Sequence, residues 1–308
     1  MILCLTIFLR WGGNIKKLLV GAFWACTAVT LAHAVNAVTV GRKIEYKNIT
    51  LRSKRLQDSL DGYKIAFISD VHSASETMLR GVVKELSSRN IDLLLLGGDF
   101  SYTGSLKSLP KSIYEKLLGR DVRTRKYSKL NKEALTILSE IKSKDGVFGI
   151  EGNHDNHIEM FDTMEKCGII PLSNSGLKIR DGFYLAGLED MLNRNPSIAA
   201  ATADASEDDF ILLITHNPDV TMQQDTSKPD VVLCGHTHGG QISLFGLWAP
   251  IFTINKHITA YGQRFMSGWS KSRDGTPVYV SNGVGVNHKL PRVYAQPQVI
   301  ILTLRKPA

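Results

Sequence analysis

Residues 230–240 read Asp-Val-Val-Leu-Cys-Gly-His-Thr-His-Gly-Gly, a short apolar run that ends in glycines and two histidines. Apolar runs of about four to eight residues bounded by turn residues are typical of strands buried on both faces. In an α/β sheet, the loops beyond the strand ends converge on one site. The stretch therefore predicts an α/β fold with a polar site at this end of the strand.

The same pattern recurs along the rest of the chain. We predict buried strands over residues 63–69, 92–97, 146–150, 183–186, 210–215, 230–234, 277–281 and 298–304. Helical spacing of apolar residues is present at 78–86 and 134–141. Short apolar runs separated by helices and glycine-rich turns indicate one α/β sandwich over residues 63–308, preceded by a linker and first strand region at 41–62.

Five polar blocks follow these apolar runs directly. They are Asp70-Val71-His72, Gly98-Asp99, Gly152-Asn153-His154-Asp155, Thr215-His216-Asn217 and Gly235-His236-Thr237-His238-Gly239-Gly240. As candidate ligands the blocks offer the carboxylates of Asp70 and Asp99, the amide of Asn153 and four imidazoles, with His154 as an additional imidazole. The four cysteines show no zinc-finger or redox spacing. Carboxylate and imidazole donors without thiolates suit catalytic manganese, iron or zinc better than a structural zinc site.

The spacing within the blocks has a physical reason. Asp70 and His72, like His236 and His238, are separated by one residue, so each pair can present two donors to the same side. Asp99 follows Gly98, whose missing side chain lets the backbone come close to a metal. A carboxylate in this place suits a bridge between two ions about 3.5–4 Å apart.

In this order, the five blocks resemble the calcineurin-like metallophosphoesterase superfamily over about residues 64–304. The strings His-Asn-Pro-Asp at 216–219, Gly-His-Thr-His-Gly-Gly-Gln-Ile at 235–242 and Ser-Asn-Gly-Val-Gly at 281–285 resemble its membrane-associated bacterial phosphodiesterase branch. That branch is similar to enzymes that cleave the pyrophosphate of a UDP-2,3-diacylglucosamine precursor. The resemblance implies a four-layer α/β/β/α sandwich and a dinuclear hydrolase of phosphodiester or pyrophosphate bonds.

The resemblance also implies a role for each block. Asp70, His72 and His238 match the ligands of one metal, Asn153, His216 and His236 match those of the second, and Asp99 matches the bridge. His154 matches a catalytic histidine that contacts the phosphate without binding metal. Two divalent ions per chain are expected, manganese first, with iron or zinc as alternatives. The interval from Asp99 to Asn153 is longer than usual in the family, which affects the expected substrate and not the metal chemistry.

Two further residues are weaker candidates for substrate binding. Asp190 follows Gly187-Leu188-Glu189 and matches a position that borders the site in related proteins, although a strand-end turn explains it as well. Arg292 follows Pro291 and could contact a phosphate, although a solvated arginine is the simpler interpretation.

The N-terminal region predicts a membrane anchor. Residues 18–40 carry no charged side chain, and 23 residues suffice to cross a hydrocarbon core of roughly 30 Å. A basic segment, residues 1–17, precedes the span with three basic residues, and six follow it by Arg55. The positive-inside rule then places the catalytic domain on the cytoplasmic side. Small residues around Ala32-His33-Ala34 also fit a cleaved signal peptide, and a buried helix is the third interpretation.

Most of the net charge of +8 lies in one segment. Residues 105–132 contain nine basic and two acidic side chains, a surplus of seven. Leucines interleaved at near-helical spacing are typical of a helix on an anionic membrane, whereas a solvated loop would show the charge alone.

We therefore expect a membrane-anchored metallophosphoesterase that acts on a phosphorylated or nucleotide-linked lipid at an anionic membrane surface, with no nucleic acid as partner. One alternative is a phosphodiesterase or nuclease of soluble substrates, whose basic segment would bind phosphates. The other is a non-catalytic membrane scaffold with structural metals.

Overall fold

The computed structural model describes residues 2–103, 128–285 and 291–307. Its helices are α1 (Ile2–Val38), α2 (Glu76–Ser87), α3 (Lys132–Ser139), α4 (His157–Lys166), α5 (Ile198–Ala201), α6 (Val220–Gln223) and α7 (Ile251–Ile254). Its strands are β1 (Glu45–Arg52), β2 (Lys64–Ile68), β3 (Leu93–Gly97), β4 (Ser101–Thr103), β5 (Ser128–Leu130), β6 (Val147–Ile150), β7 (Ile170–Pro171), β8 (Ser175–Arg180), β9 (Phe183–Gly187), β10 (Phe210–Ile214), β11 (Val231–Cys234), β12 (Gly268–Lys271), β13 (Pro277–Val280) and β14 (Gln298–Arg305).

Two six-stranded sheets form the centre of the fold. Their strand orders are β1-β14-β2-β3-β6-β7 and β12-β13-β11-β10-β9-β8. Strands β2, β3 and β6 are parallel in the first sheet, as are β9, β10 and β11 in the second. The carboxyl ends of three neighbouring strands in one sheet and two in the other therefore carry the five polar blocks.

Alternate residues of the strands fill three cores, one between the sheets and one on the outer face of each sheet. Phe67 and Leu95 of the first sheet pack with Leu185 and Leu212 of the second, between the sheets. The opposite face of the first sheet packs on α2, α3 and α4, and the opposite face of the second packs on α5, α6 and a 3-10 turn at Gly262–Phe265. The predicted four-layer α/β/β/α sandwich is thus confirmed.

The eight predicted strands and both predicted helices are present, with ends shifted by at most two residues. Burial on both faces explains why β3, with four consecutive leucines, was readable from sequence. Helix α2 begins where Ser75 accepts a hydrogen bond from Met78 N, and it buries Leu79, Val82 and Leu86.

The region at residues 41–62 belongs to the first sheet. Strand β1 pairs in parallel with β14 over its whole length, from Glu45 opposite Gln298 to Arg52 opposite Arg305. Because β14 pairs in parallel with β1 and antiparallel with β2, the start of β1 lies at the same edge of the sheet as the carboxyl end of β2, with β14 between them. The chain therefore enters the sandwich at the edge that carries the polar blocks.

The N-terminal apolar helix is present. The backbone is helical from Ile2 to Val38, so the predicted basic segment and anchor form one continuous helix. Within Lys17–Arg42, an 18-residue window has a mean hydropathy of 1.8, and by length and composition this stretch is long and apolar enough to cross a membrane. Most of the predicted basic insertion, 105–132, lies outside the described residues.

Candidate metal centre

The ends of β2, β3, β6, β10 and β11 bring seven predicted ligands together. Backbone hydrogen bonds fasten the loops to one another, since Asp70 N donates to Gly98 O and His72 N donates to Asp99 O, both at 2.9 Å. Across the two sheets, His236 N donates to Asp70 Oδ1 at 3.0 Å. The centre is therefore shared by both sheets.

Asp70, His72 and His238 form the first cluster. Their ligand atoms all lie within 4.8 Å of one another. Nε2 of His72 lies 3.2 Å from Nε2 of His238, which lies 3.6 Å from Asp70 Oδ1. Two imidazoles and one carboxylate converging in this way can hold a divalent cation.

Asp99, His216 and His236 form the second cluster, again within 4.8 Å. Asn153 joins it, because its Oδ1 lies 2.8 Å from Nδ1 of His236. The amide thus supplies a fourth donor to this cluster.

The Asp99 carboxylate lies between the two clusters. Its Oδ2 is 3.4 Å from Nε2 of His72 in the first cluster and 3.1 Å from Nε2 of His216 in the second. Its Oδ1 accepts a hydrogen bond of 2.9 Å from the backbone N–H of His154. One oxygen is held by the backbone while the other faces both groups of imidazoles.

Backbone carbonyls fix the orientation of three imidazoles. Nδ1 of His72 faces Ser101 O at 2.7 Å, Nδ1 of His216 faces Gly97 O at 2.8 Å, and Nε2 of His236 faces Ile258 O at 2.8 Å. A proton donated to each carbonyl leaves the lone pair of the other ring nitrogen directed into the centre. Histidines that bind metals usually have such a partner.

The surroundings of one buried nitrogen show whether a cation suits the centre. Nε2 of His216 is fully buried, and its 3.1 Å ion-pair contact with Asp99 Oδ2 is not accompanied by a hydrogen bond to any of the described residues. Buried polar atoms are nearly always paired, so this nitrogen and its neighbours are arranged for a ligand from outside the chain. The donor set fits a pair of divalent ions.

The charges of the centre are strongly coupled. Burial acts to raise the pKa of Asp99, but the adjacent His216 imidazole holds that pKa well below its usual range. Burial acts to lower the pKa of His216, but Asp99 raises it well above the ordinary value. Burial, assisted by the charge of His216, lowers the pKa of His236 to about 3. His236 is thus neutral, the state that a metal ligand needs.

The sequence belongs to a known family. A family model described as Calcineurin-like phosphoesterase matches residues 63–240, more than half of the chain. The chain is a calcineurin-like phosphoesterase. Membership makes it a metal-binding hydrolase whose reaction class is metal-dependent cleavage of phosphoesters, and it accords with the two clusters.

Three relatives place this phosphoesterase in context. The metallophosphoesterase YkuE of Bacillus subtilis is 24% identical over 273 residues, which cover 85% of this chain and 86% of the relative. Metallophosphoesterase Cj0846 of Campylobacter jejuni is 27% identical over 85% of this chain and 63% of its own. The transmembrane protein with metallophosphoesterase domain of Danio rerio is 25% identical over 91% and 61%. The chain thus spans about three fifths of the second and third relatives.

The backbone of this phosphoesterase is strained at its predicted ligands. Asp70, His72, Asp99, His236 and His238 have φ of 52°, 41°, 60°, 72° and 53°. Residues other than glycine rarely adopt this left-handed region, at a cost of roughly 1–3 kcal/mol each, and such residues concentrate at functional sites. The Asp70/His72 and His236/His238 pairs converge through these turns and not through extended strand geometry.

His154 lies at the rim of the centre. Its ring centroid is 5.4 Å from that of His72, and the residue is partly exposed whereas His72 and His216 are fully buried. The imidazole is therefore near the donors and also within reach of solvent, as a group that meets the substrate must be.

The two weaker candidates are both buried. Arg292 is 1% exposed, and its guanidinium donates to the carbonyls of Gly285, His238 and Ala295 at 3.0, 3.2 and 3.1 Å. Its Nη2 also lies 3.2 Å from Nδ1 of His238. Arg292 is thus neither solvated nor directed at open space, and it supports a ligand histidine from behind.

Asp190 lies beside the second cluster. Its Oδ2 accepts hydrogen bonds from the backbone N–H groups of Leu192 and Asn193, the turn contact that the sequence also suggested. Its Oδ1 is buried without a hydrogen-bond partner among the described residues. The side chain of Asn193 donates to Asn153 O at 2.8 Å, which connects this turn to a predicted ligand.

Asp155 is a residue whose role the sequence did not reveal. Its carboxylate accepts from the backbone N–H groups of Asp99, Ser101 and Gly152 at 2.8–2.9 Å. Burial, and next the charge of Asp99, raise the pKa of Asp155 to about 6. It joins the Asp99 loop to the Asn153 loop. The position of Asp155 in a polar block was the only sequence feature that pointed to it, because two of its three hydrogen-bond partners, Asp99 and Ser101, lie far away in the sequence.

Proposed function

We propose that this calcineurin-like phosphoesterase uses two divalent ions to hydrolyse a phosphodiester or pyrophosphate bond in a lipid-linked substrate. Manganese is the preferred ion, with iron or zinc as alternatives. The position of Asp99 Oδ2, 3.4 Å from His72 and 3.1 Å from His216, is the single observation that carries the dinuclear proposal. One carboxylate oxygen facing two donor clusters is the arrangement that a bridging ligand requires.

The proposed roles of the residues follow from their places. Asp70, His72 and His238 would hold one ion, Asn153, His216 and His236 the other, and Asp99 both. Bound ions of this kind neutralise the charge that develops on phosphoryl oxygens and activate water. His154, partly exposed at the rim, would contact the phosphate and move a proton to the leaving oxygen.

The membrane location is part of the proposal. Support comes from the apolar stretch Lys17–Arg42 and from the name of the zebrafish relative, a transmembrane protein. Six basic residues between Arg42 and Arg55 favour a cytoplasmic catalytic domain. Because β1 enters the sheet at the same edge as Asp70, the metal centre would face the bilayer from which α1 emerges. Lipid phosphates would then lie close to the centre.

The proposal names a substrate class, and the UDP-2,3-diacylglucosamine type of precursor is its first candidate. Support comes from the strings at 216–219, 235–242 and 281–285, which resemble the branch that includes such enzymes. A nucleotide-linked lipid joins a soluble, negatively charged pyrophosphate to apolar chains, and it suits a metal centre that faces a membrane.

A substrate screen tests the proposal. The full chain, loaded with Mn²⁺ in lipid nanodiscs, would be assayed against phospholipids, a UDP-linked diacyl lipid, cyclic nucleotides, single-stranded DNA and bis-p-nitrophenyl phosphate, with Asp99→Asn as the inactive control. We expect the highest kcat/KM with a lipid-linked substrate. Preference for the cyclic nucleotide or DNA would establish the soluble-substrate alternative. Activity on none of them, with two ions bound, would establish the scaffold.

A further inference from the structure

A cleft of about 720 Å³ lies between the end of α1 and the catalytic domain. Ala34, Ala37 and Val38 of α1 form one wall, and Ala74 and Met78 at the start of α2 form another. The lining is mostly apolar. A space of this size and character suits a flexible hydrocarbon group.

The inner end of the cleft adjoins the main chain of the first cluster. Gly285 lines the cleft, and its N–H donates to Asp70 O at 2.7 Å. Arg292 also lines it and donates to His238 O at 3.2 Å. Ser73, a third lining residue, directly follows His72 in sequence. A molecule in the cleft is therefore one residue away from each of the three predicted ligands of this cluster.

The outer wall of the cleft lies within the apolar stretch of α1. Ala34 is inside the charge-free residues 18–40, whereas Arg42, at the other end of the wall, is the first basic residue after them. Helix α1 ends at Val38, about 6 Å along the axis from Ala34 at 1.5 Å per residue, and Arg42 lies in the 3-10 turn that follows it. The cleft thus extends from the depth of the hydrocarbon to the level of the headgroups, if the span crosses the membrane as proposed.

An exposed apolar loop beside α1 lies at the level where we place the membrane interface. In residues 242–254, Leu244, Phe245, Leu247, Trp248 and Ile254 are 45%, 44%, 81%, 42% and 79% exposed. Large exposed apolar patches rimmed by polar residues mark membrane or partner surfaces. Aromatic residues among them are typical of the membrane interface.

This loop is attached to α1. The ring of Phe245 lies 4.9 Å from that of His33, and the Tyr294 ring lies 5.0 Å from His33. Tyr294 N also donates to Asn36 Oδ1 at 2.7 Å. His33 and Asn36 both belong to the charge-free stretch, so the loop adjoins the part of α1 that would lie in the bilayer. Lipid, rather than water, would then surround the mouth of the cleft.

We propose that the cleft between α1 and α2 binds one acyl chain of a membrane lipid. The headgroup of that lipid then lies between Arg42 and the first metal cluster, where its phosphate meets the catalytic residues. This deepens the proposed function, on which it rests for the identity of the substrate. The chain's own anchor thereby forms half of the substrate site.

Lipid crosslinking tests the site without relying on turnover. The full chain would be reconstituted in phosphatidylcholine–phosphatidylglycerol vesicles that contain a phospholipid with a diazirine in its acyl chain. We expect crosslinks on residues 73–78, which belong to the catalytic domain and lie outside the lipid shell of an isolated span. Crosslinks confined to α1 would overturn the proposal.

Two neighbouring substitutions supply a matched comparison. Ala34→Phe fills the cleft, whereas Val35→Phe adds a similar ring on α1 at a residue that is 50% exposed and does not line the cleft. Ala34→Phe should reduce crosslinking to residues 73–78 about tenfold, the effect of displacing about two buried methylene groups. Val35→Phe should leave it unchanged. Equal crosslinking in both variants, each with wild-type metal content, would reject the cleft as the site.

Kinetics separate this proposal from the proposed function. For whichever lipid substrate the screen identifies, Ala34→Phe should raise KM about tenfold, whereas Val35→Phe should leave both that KM and kcat/KM for bis-p-nitrophenyl phosphate within twofold of the wild-type values. If Ala34→Phe did not change lipid turnover, the cleft would be rejected as the acyl-chain site, and the proposed function would stand. If no lipid were hydrolysed, the proposed substrate class would be rejected. The crosslinking result would still show whether the cleft binds an acyl chain.

Discussion

The backbone N–H of His154 donates a 2.9 Å hydrogen bond to Oδ1 of Asp99. The residue predicted to act on the phosphate therefore also holds the predicted bridging carboxylate, but it does so through its main chain. Any replacement of the imidazole except proline keeps this contact. The structure thus separates the contribution of the His154 side chain from that of its backbone.

His154→Ala should keep two ions per chain and lose on the order of 10² or more in kcat, as expected for a positioned acid–base group. Metal analysis by mass spectrometry and steady-state kinetics on the same preparation would measure both quantities. Asp155→Ala is the contrasting variant, because its carboxylate holds the backbone of Asp99 and Gly152. It should lose metal as well as activity. Loss of an ion in His154→Ala would contradict the assigned role.

Asp99→Ala should weaken the binding of both ions, because the carboxylate lies within 3.4 Å of His72 and 3.1 Å of His216. Nearly all turnover should be lost. Titration calorimetry with Mn²⁺ would count the sites and give their affinities. A variant that retained one site of wild-type affinity would show that Asp99 belongs to a single cluster. Full activity in chelator-treated wild-type protein would exclude metal dependence altogether.

Arg292→Ala should act on stability and not only on substrate binding. The substitution removes the Arg292 donor from the carbonyls of Gly285 and Ala295, and it removes one of two donors from His238 O, which also accepts from Gln241 N. We expect a loss of about 3 kcal/mol or more in the free energy of unfolding. That corresponds to a fall in Tm of about 10 °C for a domain of this size.

The matched control is Arg305→Ala, whose guanidinium pairs with Asp61 at the surface and is 47% exposed. Surface pairs contribute at most about 1 kcal/mol. Calorimetric unfolding of both variants would measure the difference. If Arg292→Ala unfolded like Arg305→Ala and changed only KM, the phosphate contact suggested by the sequence would be supported instead.

Sequence predicted the parts of the fold whose pattern is local. Strand β3 is four leucines and a glycine buried on both faces, and its apolar run needs no tertiary information. Strand β8 (Ser175–Arg180) was missed because its half-buried residues mix glycine, lysine and arginine. Helix α4 was missed because its polar start, His157 after the Asn156 cap, directly follows a ligand block.

In the candidate site, too, some features could be predicted from the sequence and others depend on the folded chain. The donors at Asp70, Asp99 and His216 were identifiable because each follows its own strand. The burial of Arg292 was not, because its acceptors, Gly285, His238 and Ala295, are brought around it only by the folded chain. Nor does a local motif specify which imidazole nitrogen faces the centre, since Ser101, Gly97 and Ile258 supply the fixing carbonyls.

The basic segment at residues 105–132 remains a prediction from sequence. Replacing Lys107, Lys111, Lys116, Arg120, Arg123 and Arg125 with Gln in the full chain should lower kcat/KM for a lipid substrate in anionic vesicles. Each basic residue near such a surface contributes roughly 1 kcal/mol. Hydrolysis of a small soluble diester should change little, and zwitterionic vesicles serve as the control. Equal loss on both substrates would indicate damaged folding, and no loss would support the solvated-loop interpretation.

Gly152→Ala should abolish metal binding although it adds a single methyl group. A Cβ at this position would collide with Oδ1 and the backbone nitrogen of Asp99, whereas a Cβ at Gly81 in α2 would meet nothing within 4 Å. Gly81→Ala is therefore the matched control, and it should gain about 0.5–1 kcal/mol of stability from the helix preference of alanine. Unfolding of both proteins after chelation of the metal would measure the stability of the fold, and Mn²⁺ titration would measure the affinity of the metal centre. Because Asp99 faces both clusters, even a small displacement by the Gly152 methyl should weaken both sites together. Two ions bound with wild-type affinity in Gly152→Ala would mean that the loop can relax and that Asp99 is not confined as the structure indicates.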